Sequence, residues 1–144
     1  MTATARDLLA MKNCAVVYTC PADATVAEAC RLLAERRVGA LVVLDGSAVV
    51  GLLTEREVAT RVVAAGLDPA GTGVTEVMRR DVPTVPLHAT VGEVELLLRR
   101  WRVRYLPVMG SRGLLGVVSL GDLARFHAAR ERPAVEGAEP PAVR

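Results

Sequence analysis

Residues 17–58 read VYTCPADATVAEACRLLAERRVGALVVLDGSAVVGLLTEREV, and residues 82–123 read VPTVPLHATVGEVELLLRRWRVRYLPVMGSRGLLGVVSLGDL. Set one above the other, 65 residues apart, the two stretches align without a gap and agree at 14 of 42 positions. The identities include Pro21/Pro86, Thr25/Thr90, Val26/Val91, Glu28/Glu93, Leu33/Leu98, Arg37/Arg102, Val43/Val108 and Gly51/Gly116. Near the ends the substitutions are conservative: Leu52/Val117, Leu53/Val118, Thr54/Ser119, Glu57/Asp122 and Val58/Leu123. Chance agreement without gaps would be far lower. The chain is an internal duplication, and its fold is that of one unit written twice.

Each copy has the same physical reading. Thr25-x-x-Glu28 and Thr90-x-x-Glu93 are capping boxes that open a helix. Behind the first, Val26, Ala29, Cys30 and Leu33 fall at i, i+3, i+4 and i+7 and form one apolar face. The second copy keeps Val91, Val94 and Leu98 on that face. Arg-rich turns, Glu35-Arg36-Arg37 and Arg99-Arg100-Trp101-Arg102, suit the negative end of the helix dipole. The runs Val38–Leu44 and Val103–Met109 follow, near-continuously apolar as in strands covered on both faces. Short turns at Asp45-Gly46-Ser47 and Gly110-Ser111-Arg112-Gly113 lead to second strands, Val49–Leu53 and Leu114–Val118, and so predict antiparallel hairpins. Helices over Glu55–Ala65 and Leu120–Ala129 close each copy. With short first strands at Val16–Thr19 and Val82–Val85, the unit is β-α-β-β-α and the fold class α+β.

Outside the repeats, residues 67–73 read as a linker and residues 131–144, with Pro133, Gly137, Pro140 and Pro141, as a disordered tail. The division is therefore 1–66, linker, 74–130 and tail. A chain of 144 residues can bury about 70% of its unfolded surface, so neither disulfide nor metal is needed for folding. The net charge is +2, too balanced to signal nucleic acid or membrane. The basic residues are 17 Arg and one Lys, Lys12, so Arg is the residue expected at any anion site. Aromatic residues are 3% of the chain, too few for a base-stacking platform.

Cys14, Cys20 and Cys30 form no C-x-x-C pair and read as free thiols in a reducing compartment. The N-terminus lacks an apolar signal core, and no apolar run approaches the ~20 residues of a membrane span. A cytoplasmic protein is expected. No Ser/His/Asp or Cys/His set with a base in reach is visible, so no catalysis is expected. His88 and His127 read as isolated surface histidines, and Trp101 as a core or dimer anchor.

Four segments carry a family resemblance. Gly51-Leu-Leu-Thr54-Glu-Arg56-Glu57 and Gly116-Val-Val-Ser119-Leu-Gly121-Asp122 resemble the signature ending of CBS domains, named after cystathionine β-synthase. Arg104-Tyr105-Leu106-Pro107-Val108 resembles the family's middle strand. Val74-Thr-Glu-Val-Met78, and more weakly Ala5-Arg6-Asp7-Leu8-Leu9, resemble its lead-in. The resemblance covers residues 5–127. It implies two CBS domains packed sheet to sheet with pseudo-two-fold symmetry, a pair often called a Bateman module, which commonly dimerises. It further implies a regulatory, non-catalytic sensor whose clefts between domains take adenosine nucleotides: AMP, ADP, ATP or NAD(H), or S-adenosylmethionine. No cofactor is required, and the partners would be the nucleotide, a second copy of the chain and an unidentified regulated protein.

The chemistry of the matching residues fits that expectation. Thr54 and Ser119 stand where a strand ends and a helix begins, where unpaired N–H groups attract phosphate. Glu57 and Asp122, three residues on, could accept the hydrogens of a ribose diol. Ala40, Leu41, Tyr105, Leu106 and Pro107 would wall a purine. Arg56 and Arg104 could grip phosphate. Thr19 and Thr84 on the first strands complete the two sets. The same Ser/Thr-x-x-Asp/Glu spacing is also a plain helix cap, and each repeat holds two such pairs: Thr25–Glu28 and Thr54–Glu57, then Thr90–Glu93 and Ser119–Asp122. Spacing does not separate them; the preceding Gly-h-h strand end marks the second and fourth. Asp122 is the better match and Glu57 the departure, with one methylene too many. Two other functions stay open: a ligand-free structural dimerisation module, and nucleic-acid binding through the Arg stripe.

Overall fold

The computed structural model describes residues 2–12 and 18–131. Its elements are helix α1 (Ala5–Ala10), strand β1 (Thr19–Pro21), helix α2 (Val26–Arg36), strands β2 (Ala40–Asp45) and β3 (Ala48–Thr54), and the helical turn α3 (Glu55–Glu57). A π-helical stretch, Val58–Val63, continues α3. Then come α4 (Val74–Val77), β4 (Val85–Pro86), α5 (Val91–Trp101), β5 (Tyr105–Gly110), β6 (Gly113–Ser119) and α6 (Leu120–Glu131). The β-α-β-β-α order is present twice, in two three-stranded sheets ordered β1-β2-β3 and β4-β5-β6. β1 runs parallel to β2 and β4 parallel to β5, each crossover being a helix; β2 and β3 form the antiparallel hairpin. The first strand of the second repeat starts later than the sequence suggests. Thr19 and Val85 pair with the middle strands, while Val16 and Val17 lie outside the described residues.

The elements form for local reasons. The Thr25 and Thr90 hydroxyls each accept the N–H three residues on, at 3.1 Å, and cap α2 and α5. Both helices end on an arginine in the left-handed region, Arg37 (φ 54°) and Arg102 (φ 53°), a position that usually takes glycine. Val26 and Ala29 of α2, and Val91, Val94 and Leu98 of α5, are buried as their spacing requires. Leu41, Val42 and Val43 are all buried, so β2 is covered on both faces, as is β5 through Leu106, Pro107 and Val108. Trp101 does not enter a core: it is 37% exposed, because α5 ends there and the apolar face is already filled by Leu98. Cys20 is buried and Cys30 half-buried, both as free thiols; Cys14 lies outside the described residues. Among the described residues no helix is long and apolar enough to cross a membrane.

The chain divides into two compact units that cut across the sequence division into 1–66, linker and 74–130. One contains β1, α2, β2, β3, α3, the π-helical stretch and α4; the other contains α1, β4, α5, β5, α6 and most of β6. Each unit therefore takes its lead-in helix from the stretch that precedes the other repeat. Backbone hydrogen bonds explain the exchange. The Ala5 N–H donates to the Ala89 carbonyl at 2.8 Å and the Val91 N–H to the Ala3 carbonyl at 3.0 Å. In the first-repeat unit the Val74 N–H donates to the Ala24 carbonyl at 3.0 Å and the Val26 N–H to the Thr72 carbonyl at 2.8 Å. Each lead-in thus satisfies N–H groups that a helix start otherwise leaves open. Residues 132–144, most of the stretch read as a tail, lie outside the described residues.

The strand-end glycines make room for these lead-ins. A Cβ on Gly51 would meet the side chain of Met78 and, at 2.8 Å, the Arg79 carbonyl. A Cβ on Gly116 would meet the Leu9 side chain at 2.7 Å. Arg79 also pairs with Leu52 through reciprocal backbone bonds of 2.9 Å, which fixes its carbonyl against β3. The Arg61 guanidinium donates to the Val77 and Met78 carbonyls, both at 3.1 Å, and clamps the end of α4. Gly121, by contrast, has only ordinary contacts around it, so no close approach demands glycine there.

Candidate functional site

The four Ser/Thr-x-x-Asp/Glu pairs of the two repeats all form caps, and burial separates them. Glu28 and Glu93 are exposed, whereas Glu57 is 3% exposed and Asp122 2%. The two pairs that follow a Gly-h-h strand end are the two with a buried carboxylate. Equivalent backbone bonds hold both junctions: the Glu55 N–H donates to the Gly39 carbonyl at 3.1 Å, and the Leu120 N–H to the Arg104 carbonyl at 3.0 Å. They pin each helix start to the residue just before the middle strand.

In the first-repeat unit, Glu57 Oε1 accepts from the Thr54 N–H at 3.1 Å and from the Thr54 hydroxyl at 2.7 Å. The Thr54 hydroxyl oxygen in turn accepts the Arg56 N–H at 3.2 Å. The hydroxyl is committed, while Oε2 has no hydrogen-bond partner among the described residues, nor has Glu57 a cation. In the second-repeat unit the pattern is reversed. Asp122 Oδ2 accepts the Ser119 N–H at 2.8 Å and meets Lys12 Nζ at 3.0 Å, and Oδ1 is held by Arg125. Ser119 Oγ accepts the Asp122 N–H at 3.1 Å, and its proton has no acceptor among the described residues. Lys12 Nζ also donates to the Val117 carbonyl at 2.6 Å.

The remaining candidates are placed as follows. Ala40 lies opposite Thr54 across the hairpin and is half-buried; Leu41 is fully buried opposite Leu53. Thr19 opens β1 opposite Val42. In the other unit Tyr105 is half-buried and Leu106 and Pro107 are buried, so the accessible residue of that strand start is Tyr105. Arg56, Thr84 and Arg104 are exposed. Leu41, Leu106 and Pro107 serve the core in this conformation and present no open wall. The sequence reading missed Lys12 and Arg125. Arg125 has a local signal, since i,i+3 charge pairs meet on a helix. Lys12 has none: 110 residues separate it from Asp122.

Other chemistry is sparse. Burial raises the Cys20 thiol to about 11 and raises Cys30 less far, which makes both poor nucleophiles. His88 is exposed; His127 is half-buried, with Nε2 3.8 Å from Glu95. Among the described residues no three His, Cys, Asp or Glu side chains cluster to hold a metal ion.

A duplicated β-α-β-β-α unit with a strand-end glycine and a buried carboxylate at each helix start defines a known family. The CBS domain profile matches residues 5–64 and again 74–129, and the chain belongs to the CBS-domain family. It is 33% identical over 108 residues to the CBS domain-containing protein YhcV of Bacillus subtilis (strain 168), covering 75% of this chain and 76% of that one. A CBS-domain structure from Burkholderia ambifaria MC40-6 superimposes with a TM-score of 0.84 at 32% identity, over 92% of this chain and 99% of that one. The CBS domain pair of protein MJ0100, solved in complex with 5′-methylthioadenosine and S-adenosyl-L-methionine, gives 0.79 at 20% identity, over 91% and 100%.

Proposed function

We propose that the chain is a regulatory module that binds adenosine nucleotides, namely AMP, ADP, ATP or NAD(H), beside Thr54–Glu57 and Ser119–Asp122. The observation that carries this reading is the pair of carboxylates, Glu57 and Asp122, buried at equivalent strand-to-helix junctions while the ordinary cap carboxylates Glu28 and Glu93 stay exposed. A buried carboxylate is costly unless its hydrogen bonds justify it. The adenosine-type ligands of the MJ0100 pair support the same chemistry. In this reading Thr54, Ser119 and the helix-start N–H groups face the phosphates, with Arg56 and Arg104 as their exposed cations and Thr19 and Thr84 nearby. Ala40 and Tyr105 border the base, with Leu41, Leu106 and Pro107 behind them. The module is not an enzyme; it acts in the cytoplasm as a homodimer, and ligand shifts the balance of its conformations and so the activity of a partner protein.

Thermal-shift titration with AMP, ADP, ATP and NADH tests the proposal. A ligand at 100 times its Kd adds about 2.7 kcal/mol of stability and raises the melting temperature. No shift with any of the four at millimolar concentration would sink it. A structural module without ligand is the second reading, favoured by the self-satisfied bonds of Asp122. It predicts that dimerisation is indifferent to every nucleotide.

A further inference from the structure

We propose that Lys12 is an internal latch on the Ser119–Asp122 site, so that the two halves of the chain bind nucleotide unequally and the half with the poorer sequence match is the open one. The inference rests on the nucleotide reading above and says which site is available and what closes the other.

A ribose diol needs carboxylate lone pairs directed at it. At Asp122 they are contested: the Ser119 N–H donates to Oδ2, the Lys12 ammonium pairs with the same oxygen, and Arg125 holds Oδ1. Arg125 is 47% exposed and sits on the same helix as Asp122, so its long side chain can turn to solvent or to a phosphate. Lys12 is held more firmly. Its ammonium bridges two acceptors, Asp122 Oδ2 at 3.0 Å and the Val117 carbonyl at 2.6 Å, and the side chain is 31% exposed. Its backbone follows α1, which is fastened to the same unit through Ala5, Arg6 and Val91. An incoming diol must displace an ammonium that pairs with a carboxylate 2% exposed, where charge pairs are little screened.

Among the described residues the equivalent site shows no such latch. Thr60 stands where the second repeat has Arg125, and Asp81 stands where the second lead-in would match Lys12. Glu57 has no cation among the described residues and its Oε2 is unengaged. The first-repeat unit therefore offers a free acceptor, and the second offers one only after Lys12 leaves.

Lys12 is the chain's single lysine, which makes the test site-specific. The full chain is acetylated with N-hydroxysuccinimidyl acetate, and the Lys12 rate is followed by peptide mass spectrometry. Lys12 reacts slowly in the wild type, and Asp122→Asn accelerates it by about five-fold or more; equal rates overturn the latch without reference to any nucleotide. Calorimetric titration with AMP then reads the sites. The wild type shows one binding event, which Glu57→Gln removes. Lys12→Met and Lys12→Gln each add a second event, and Asp122→Asn in the Lys12→Met background abolishes that second event. If the Lys12 variants bind more weakly, or with unchanged stoichiometry, Lys12 is no competitor and the inference falls. If Asp122→Asn accelerates acetylation but no variant binds AMP, ADP, ATP or NADH, the nucleotide reading itself has failed and the competition falls with it.

Discussion

The two strand-to-helix junctions share the backbone bond that pins the helix start and have opposite polar economies. At Thr54–Glu57 the hydroxyl is spent on the carboxylate and one carboxylate oxygen is left open. At Ser119–Asp122 both carboxylate oxygens are engaged, by an amide and two cations, and the hydroxyl keeps its proton. One half offers an acceptor, the other a donor. A duplicated site need not stay a duplicated function: one methylene in Glu57 and two cations around Asp122 suffice to divide the roles.

The sharpest way to break that contrast is to remove each carboxylate. Asp122→Ala leaves two cations facing a buried gap and should cost about 2–3 kcal/mol, the lower end for a broken buried pair because both cations are partly exposed. Glu57→Ala loses only a cap, about 1 kcal/mol. Chemical denaturation of both variants checks the ratio; equal losses would mean that Lys12 and Arg125 contribute nothing to Asp122.

Alkaline pH probes a second difference. Cys20 is buried where the other half has Val85, and burial raises its thiol from 9.0 to about 11. The unfolded chain ionises first, so the stability linked to this group is complete below pH 9 and is lost as pH rises toward 11. The gap corresponds to roughly 2–3 kcal/mol. Melting measured from pH 8 to 11 should show the loss in the wild type and a smaller one in Cys20→Val.

The glycines give a third contrast. Gly51→Ala drives a methyl into the backbone carbonyl of Arg79, which cannot yield, and should cost about 2–3 kcal/mol. Gly116→Ala meets only the end of Leu9, which can rotate, and should cost about 1 kcal/mol. The smallest effect is a backbone one: Arg37→Gly relieves a left-handed residue and should stabilise by about 0.5 kcal/mol, measured by chemical denaturation.

What could be read from the sequence was what lies close along the chain. The caps at Thr25 and Thr90 and the β2–β3 hairpin follow from spacing within a dozen or so residues, the repeat from plain self-comparison, and all are present. The marking of Glu57 and Asp122 by their Gly-h-h strand ends picked out the two buried carboxylates. What could not be read depends on distant segments. Nothing near Lys12 points to Asp122, and nothing near Ala5 points to Ala89. The ranking of the two sites by likeness to a family pattern, with Asp122 ahead, took no account of Lys12, which only folding brings to it. Leu41, Leu106 and Pro107 fit an apolar wall by type, yet strands covered on both faces draw such residues into the core.

The exchange of lead-ins sets a rule for how such a chain could have arisen. A single copy carrying its own lead-in leaves the start of its crossover helix without the partner that Ala3 or Thr72 now supplies. A solitary ancestor would have had to borrow that segment from a second molecule. Fusion of two such borrowers into one polypeptide turns a loan between strangers into a contact at fixed local concentration. Once joined, each half is free to mutate its own junction, because the reciprocal fastening no longer demands identical partners.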